Sequence, residues 1–210
     1  MIDIDNLVVK VKQLKKKGYS QKEISSDLHL SIDTVKWLLS GAPSTETPPS
    51  DVKIGWRSVG VFGSRIKNVA SVLVSIIQEE LQESDIDTIM GIAINGIPYA
   101  AFISEILGKE LAVYKPATEP AKGGQFSSNF ANVNGKKVII IDDVISTGNT
   151  LRGAVEEVER NGGKVVLICV LMNKTQRNDV SECPLRALLR ARSIGGTILG
   201  GGPLHSFPYA

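Results

Sequence analysis

The spacing of apolar residues changes character twice along the chain. Up to about residue 41 they recur every three or four positions: Leu7, Val8, Val11 and Leu14, then Ile24 and Leu28, then Val35 and Leu38. That is the period of amphipathic helices. The next stretch, Ala42-Pro43-Ser44-Thr45-Glu46-Thr47-Pro48-Pro49-Ser50, has almost no apolar side chain. Its prolines favour an extended, semi-rigid chain that cannot pack a core. From Asp51 onward, runs of β-branched residues alternate with amphipathic stretches, the pattern of an α/β fold. The chain thus divides into a small all-α unit over 1–42, a linker over 43–50 and an α/β domain over 51–210.

Punctuation inside the first unit is strong. Gly18 stops the first helix. Ser20, with Glu23 three residues later, makes a capping box for a helix from Gln21 to about Leu28. Ser31 caps a third helix running from Ile32 to about Leu39, which Gly41 and Pro43 end. Ile24, Leu28, Leu30, Val35 and Leu38 sit at core spacing. Two short helices joined by so tight a turn resemble a helix-turn-helix, and S-Q-K-E-I-S-S-D-L-H-L-S-I-D-T-V-K-W-L-L is similar to that unit in bacterial and archaeal regulators. The resemblance implies that the second helix enters the major groove of DNA with Ser31, Asp33, Thr34, Lys36 and Trp37 outward, while lysines on the preceding helices meet phosphates. One such unit contributes little affinity, so a homodimer reading two half-sites is the expected form. The competing reading is a helical cap that only makes protein contacts. Lys and Arg exceed Asp and Glu only mildly up to Gly41, and Asp33 would repel phosphate.

In the α/β domain the periodicity predicts helices over Ile66 to Leu81, Tyr99 to Leu107 and Leu151 to Arg160. It predicts strands over Ile86 to Ile94, Leu111 to Tyr114, Val138 to Ile141 and Lys164 to Met172. Beyond Met172 the pattern weakens, and Pro184 to Ala191 reads as helical. Two strand-to-helix joints carry chemistry. In the first, Val138-Ile139-Ile140-Ile141 reads as a strand buried on both faces. Asp142 and Asp143 close it, then Ser146, Thr147, Gly148, Asn149 and Thr150 turn into a helix. Backbone N–H groups, the helix dipole and three hydroxyls make an anion site. The two carboxylates beside it suit ribose hydroxyls or a hard cation such as Mg²⁺. A ribose phosphate combines those groups. The second joint, Gly91-Ile92-Ala93-Ile94-Asn95-Gly96-Ile97-Pro98-Tyr99-Ala100, again turns a strand into a helix, with Pro98 near the first helical turn where its missing N–H costs nothing.

The stretch Val138 to Thr150 resembles the signature of the type I phosphoribosyltransferases. The joint at Gly91 to Ala100 is similar to the pyrophosphate loop of the orotate members. That resemblance implies their fold, a mostly parallel sheet flanked by helices. It implies that phosphoribosyl pyrophosphate (PRPP) is held with Mg²⁺, with Asp142 and Asp143 as metal and ribose ligands and Ser146 to Thr150 on the 5′-phosphate. Pyrophosphate would lie on Ala93, Ile94, Asn95, Gly96 and Lys115. Orotate enzymes then carry a mobile K-x-x-K-x-H-G loop. Here Lys115-Pro116-Ala117-Thr118-Glu119-Pro120-Ala121 keeps the first lysine, replaces the second by Thr118 and the histidine by Pro120, and adds Glu119 where pyrophosphate would lie; Lys122 substitutes only if the register shifts. Asn173-Lys174 stands where those enzymes place D-R, and lysine lacks the bidentate geometry a carboxylate prefers. The resemblance thus implies that binding of the ribose phosphate is kept, while transfer and orotate recognition are damaged. The whole plan resembles archaeal orotate phosphoribosyltransferase-like transcription regulators, which implies a regulator sensing PRPP or a nucleotide. An active phosphoribosyltransferase with a helical appendage is the alternative.

Composition adds limits. The net charge of +2 gives no whole-chain argument for nucleic acid, and an apolar fraction of 42% is ordinary for a globular protein. Cys169 and Cys183 show no metal or redox spacing. No apolar run approaches the ~20 residues that span a bilayer, and the N-terminus lacks a signal-peptide core, so no membrane association and a cytoplasmic location are expected. The glycine-rich tail, Gly195 to Ala210, reads as a flexible end.

Overall fold

A computed structural model describes residues 4–28, 30–40, 52, 54–117 and 123–191. The linker, the Thr118 to Lys122 substitutions and the glycine-rich tail lie outside the described residues.

The N-terminal unit consists of helices α1 (Ile4–Lys16), α2 (Gln21–Leu28) and α3 (Ile32–Ser40). They close on a core of Leu7, Val11, Ile24, Leu28, Leu30, Val35, Trp37 and Leu38. The capping box forms as the sequence predicts: the Ser20 N–H donates to Glu23 Oε2 at 2.8 Å and the Glu23 N–H to Ser20 Oγ at 3.2 Å. Gly18 turns the chain at a positive φ of 91°. Ser31 Oγ accepts the Thr34 N–H at 3.1 Å and lies 2.8 Å from Thr34 Oγ1, capping α3.

The second domain is built on a sheet ordered β3-β2-β1-β4-β5-β7-β6. Its strands are β1 (Thr88–Ile92), β2 (Glu110–Lys115), β3 (Gln125–Phe126), β4 (Lys137–Ile145), β5 (Lys164–Asn173), β6 (Asp179–Val180) and β7 (Cys183–Arg190). The five inner strands run parallel, and short β3 and β6 pair antiparallel at the edges. Helices α4 (Arg57–Gly60), α5 (Gly63–Glu80), α6 (Gly96–Leu107) and α7 (Asn149–Arg160) complete the domain.

Continuous apolar runs are what a two-sided sheet requires. Alternate residues of β4 divide between its faces. Val138 and Ile140 join the α7 core with Met90, Ile168 and Val158. Ile139 and Ile141 join the α5–α6 core with Leu73, Ile77 and Ile103.

Two expectations are corrected. β4 does not end at Ile141: Asp142, Val144 and Ile145 continue the parallel pairing with Val170, Met172 and Asn173 of β5. Pro184 to Ala191 is not a helix, because Cys183–Arg190 forms β7, parallel to β5, with Leu185 fully buried. Its leucines and arginines are good helix formers, but pairing along β5 outweighs a propensity of a few tenths of a kcal/mol per residue. Arg186 on this strand makes a two-pronged ion pair with Glu80 at the end of α5, at 2.6 and 2.8 Å.

Candidate phosphoribosyl site

The parallel sheet puts both predicted joints at the carboxyl ends of neighbouring strands, β1 and β4, where open α/β sheets bind ligands. Close packing brings them into contact. A Cβ on Gly96 would stand 2.3 Å from the Ile141 carbonyl oxygen and 3.1 Å from the Asp142 Cα, so only glycine lets the β1–α6 joint rest on β4. Gly91 is needed for a similar reason, since its Cβ would meet the Ile97 Cα at 2.8 Å. The Ala93–Ile94 peptide bond is cis. Ala93 and Asn95 are half-buried, and Ile94 projects into solvent with 81% of its surface exposed.

Asp142 and Asp143 are both buried. Asp143 Oδ2 accepts from Asn95 Nδ2 and from Trp56 Nε1, each at 3.0 Å, while its Oδ1 accepts the Val144 N–H at 2.8 Å. Asp142 Oδ1 accepts the Asp143 N–H at 2.9 Å. Burial, and then the neighbouring Asp143 charge, push the Asp142 carboxyl well above the usual carboxylate range. The turn that follows is open: Ser146, Thr147, Asn149 and Thr150 are exposed, and Gly148 takes a φ of 82° to start α7. The N-terminal N–H groups of α7 thus face outward beside two carboxylates, and those of α6 begin at Gly96 across the gap. Lys115 is exposed at the end of β2.

Other predicted residues fall elsewhere. Asn173 is fully buried and committed to its own turn: its Oδ1 accepts from the Thr175 N–H and hydroxyl, and its Nδ2 donates to the Arg177 carbonyl. In the N-terminal unit, Asp33 and Lys36 are exposed and Ser31 is half-buried. Thr34 and Trp37 are buried, which corrects the expectation that they point outward. Helix α3 is clasped by both α1 and α2, so its covered arc spans Thr34, Val35, Trp37 and Leu38. The sequence reading missed Trp56. No motif surrounds it, and it lies 87 positions from Asp143, so only the fold joins the two.

Comparison with known proteins places the domain in a family. Residues 63–189 match the phosphoribosyl transferase domain. The chain is 52% identical over 200 residues to the transcriptional regulator GfcR of Thermoplasma acidophilum, across 94% of this chain and 100% of that one. The chain belongs to the phosphoribosyl transferase domain family, and within it to the GfcR regulators. Another GfcR regulator, from Picrophilus torridus, is 46% identical over 192 residues, covering 90% of this chain and 98% of its own. Among solved structures, adenine phosphoribosyltransferase from Thermoanaerobacter pseudethanolicus superposes with a TM-score of 0.55 at 18% identity, covering 82% of this chain and all of that one. At that identity the likeness concerns the type I fold alone. No helix among the described residues is long and apolar enough to cross a membrane.

Proposed function

We propose that the protein is a DNA-binding transcription regulator whose phosphoribosyltransferase-like domain senses PRPP or a related phosphoribosyl ligand. The observation that carries the reading is the contact between the two joints, with Asn95 on Asp143 and Gly96 on Ile141. It sets two helix N-termini and two carboxylates around one opening, the groups that a phosphorylated sugar presents partners for. Asp142 and Asp143 hold the ribose, the Ser146 to Thr150 turn takes the 5′-phosphate, and Ala93 to Gly96 with Lys115 take the pyrophosphate end. The names of the relatives support the regulatory role.

Mg²⁺ fits this donor set in one way. Three of the four carboxylate oxygens already accept hydrogen bonds, and no cluster of three metal-ligating side chains exists among the described residues. Mg²⁺ would therefore reach Asp142 and Asp143 together with ligand oxygens and water, as it does in sites that share it with a polyphosphate. Bound so, it would neutralise phosphate charge and favour ionised Asp142.

The exposed face of α3 at Ile32, Asp33, Lys36 and Ser40 is the surface that would meet DNA, with a homodimer spanning two half-sites. The intact phosphoribosyl site also suits a second reading, an orotate-type transferase joining a base to PRPP. One paired experiment separates them. Pyrophosphate release is measured with PRPP, Mg²⁺ and a panel of bases, while retention on genomic DNA fragments is measured with and without PRPP across a salt series. Salt-sensitive, sequence-selective retention that PRPP alters, with little pyrophosphate, is expected. Brisk pyrophosphate release with no selective retention would establish the enzyme instead.

A further inference from the structure

The core between the sheet and α5–α6 does not close fully near the carboxyl ends of the strands. A cavity of about 230 Å³ lies there, lined among others by Val69 of α5, Tyr99 of α6, Val144 of β4, Leu171 of β5, Leu188 of β7 and Trp56. Val69, Tyr99, Leu171, Leu188 and Trp56 all belong to the core on that face of the sheet. No charged side chain is among the described residues that line it. An apolar cavity of ~150 Å³ is enough to hold a benzene ring, so this one has room for a single ring with a small substituent.

Volume alone does not make a site; Tyr99 supplies a second observation. It is fully buried, and its hydroxyl has no hydrogen-bond partner among the described residues. Native interiors rarely leave such a group unmatched. Burial, and then the negative charge of Asp143, push this hydroxyl up to about 12. At neutral pH it keeps its proton and is a donor without an acceptor. The other polar side chains of the wall do not compete for that role. The Trp56 indole N–H is committed to Asp143 Oδ2 at 3.0 Å, and Ser58 is exposed to solvent. The Trp56 ring meets the Tyr99 ring edge-on, with centroids 5.7 Å apart, an arrangement that a further ring can extend.

Apolar walls with one buried donor select their occupant. A carboxylate would lose its hydration with no cation to meet it. A nucleobase carries several donors and acceptors around its edge, and most would be left unpaired. We propose that this cavity is a binding site, separate from the phosphoribosyl opening, for a compact neutral molecule that is largely apolar and carries one carbonyl or ether oxygen for the Tyr99 hydroxyl. The two sites share a wall, because Trp56 and Val144 line the cavity and donate to Asp143.

Ligand-observed NMR on the full chain tests the assignment with acetophenone and α-methylstyrene, which has a methylene group in place of the carbonyl oxygen. Both should bind, and neither benzoate nor uracil should displace them. Tyr99→Phe removes only an unpartnered hydroxyl, so the fold should survive. It should weaken acetophenone by about tenfold, the loss of one hydrogen bond, and leave α-methylstyrene unchanged. Val69→Phe and Leu188→Phe fill the cavity from α5 and from β7, and whichever of them melts cooperatively should bind neither probe. No binding of acetophenone to the native chain would overturn the site. So would an equal effect of Tyr99→Phe on both probes, undiminished binding in a folded filling variant, or displacement by benzoate or uracil. PRPP calorimetry on the native chain decides the phosphoribosyl reading separately.

Discussion

At the scale of single residues, the site sets ligand recognition against stability. Asp142 is buried beside a second carboxylate, and its carboxyl is pushed well above the usual range by that burial and then by Asp143. Folding therefore favours its protonated form. The stability this contributes is fully present below the unfolded value, about 3.9, and is lost as pH rises through the folded value. At neutral pH an ionised Asp142 is a cost that only a ligand or cation can offset. Asp142→Asn keeps Oδ1 as the acceptor for the Asp143 N–H and removes the charge. We expect it to raise the melting temperature at pH 7 by roughly 2–4 °C, or about 1 kcal/mol. It should also flatten the rise in stability that the raised Asp142 carboxyl is expected to contribute on acidification from pH 7, and abolish PRPP binding in calorimetry. A lower melting temperature at pH 7 would show that ionised Asp142 is no burden. The presence of both acids was legible in the sequence. Their burial inside a strand was not, because the extension of β4 to Ile145 depends on its neighbour β5.

At the scale of elements, legibility followed how local the determining interactions are. The β4 run needed only its own apolar residues, and its alternate side chains fill both cores. The capping box at Ser20 and Glu23 needed only contacts within four residues. β7 was misread because its leucines, alanine and arginines suit a helix, while the pairing that makes it a strand comes from β5. On α3 the boundaries were legible but the facing was not: Thr34 and Trp37 are buried because α3 packs against both α1 and α2. The start of α3 depends on one side chain, Ser31, whose Oγ accepts the Thr34 N–H. Ser31→Ala should cost about 1 kcal/mol of stability in the N-terminal unit, seen as a lower melting temperature of the helical signal, while PRPP affinity stays unchanged. Full retention of helical stability would mean that α3 is held by packing on Trp37 and Leu38 alone.

At the scale of the whole molecule, the question is whether the two ends of the chain share one equilibrium. Trp56 offers a way to read it. Its indole N–H donates to Asp143 Oδ2, the carboxylate assigned to the ribose, and it lies in the first stretch of chain after the linker. A sugar hydroxyl at Asp143 competes for the same oxygen, so PRPP binding should change Trp56 fluorescence. Trp37→Phe, which removes the second tryptophan from the N-terminal core, leaves Trp56 as the sole indole reporter. In that background, PRPP is titrated with and without saturating operator DNA, and DNA is titrated with and without saturating PRPP. Linkage requires that PRPP change DNA affinity by the same factor as DNA changes PRPP affinity, and regulatory couplings are on the order of 5–150-fold. Equal factors within that range are expected. A factor of one in both titrations would mean that the phosphoribosyl site and the helical unit share a chain without sharing a signal. PRPP binding seen in calorimetry with no change in Trp56 fluorescence would place the ligand away from Asp143.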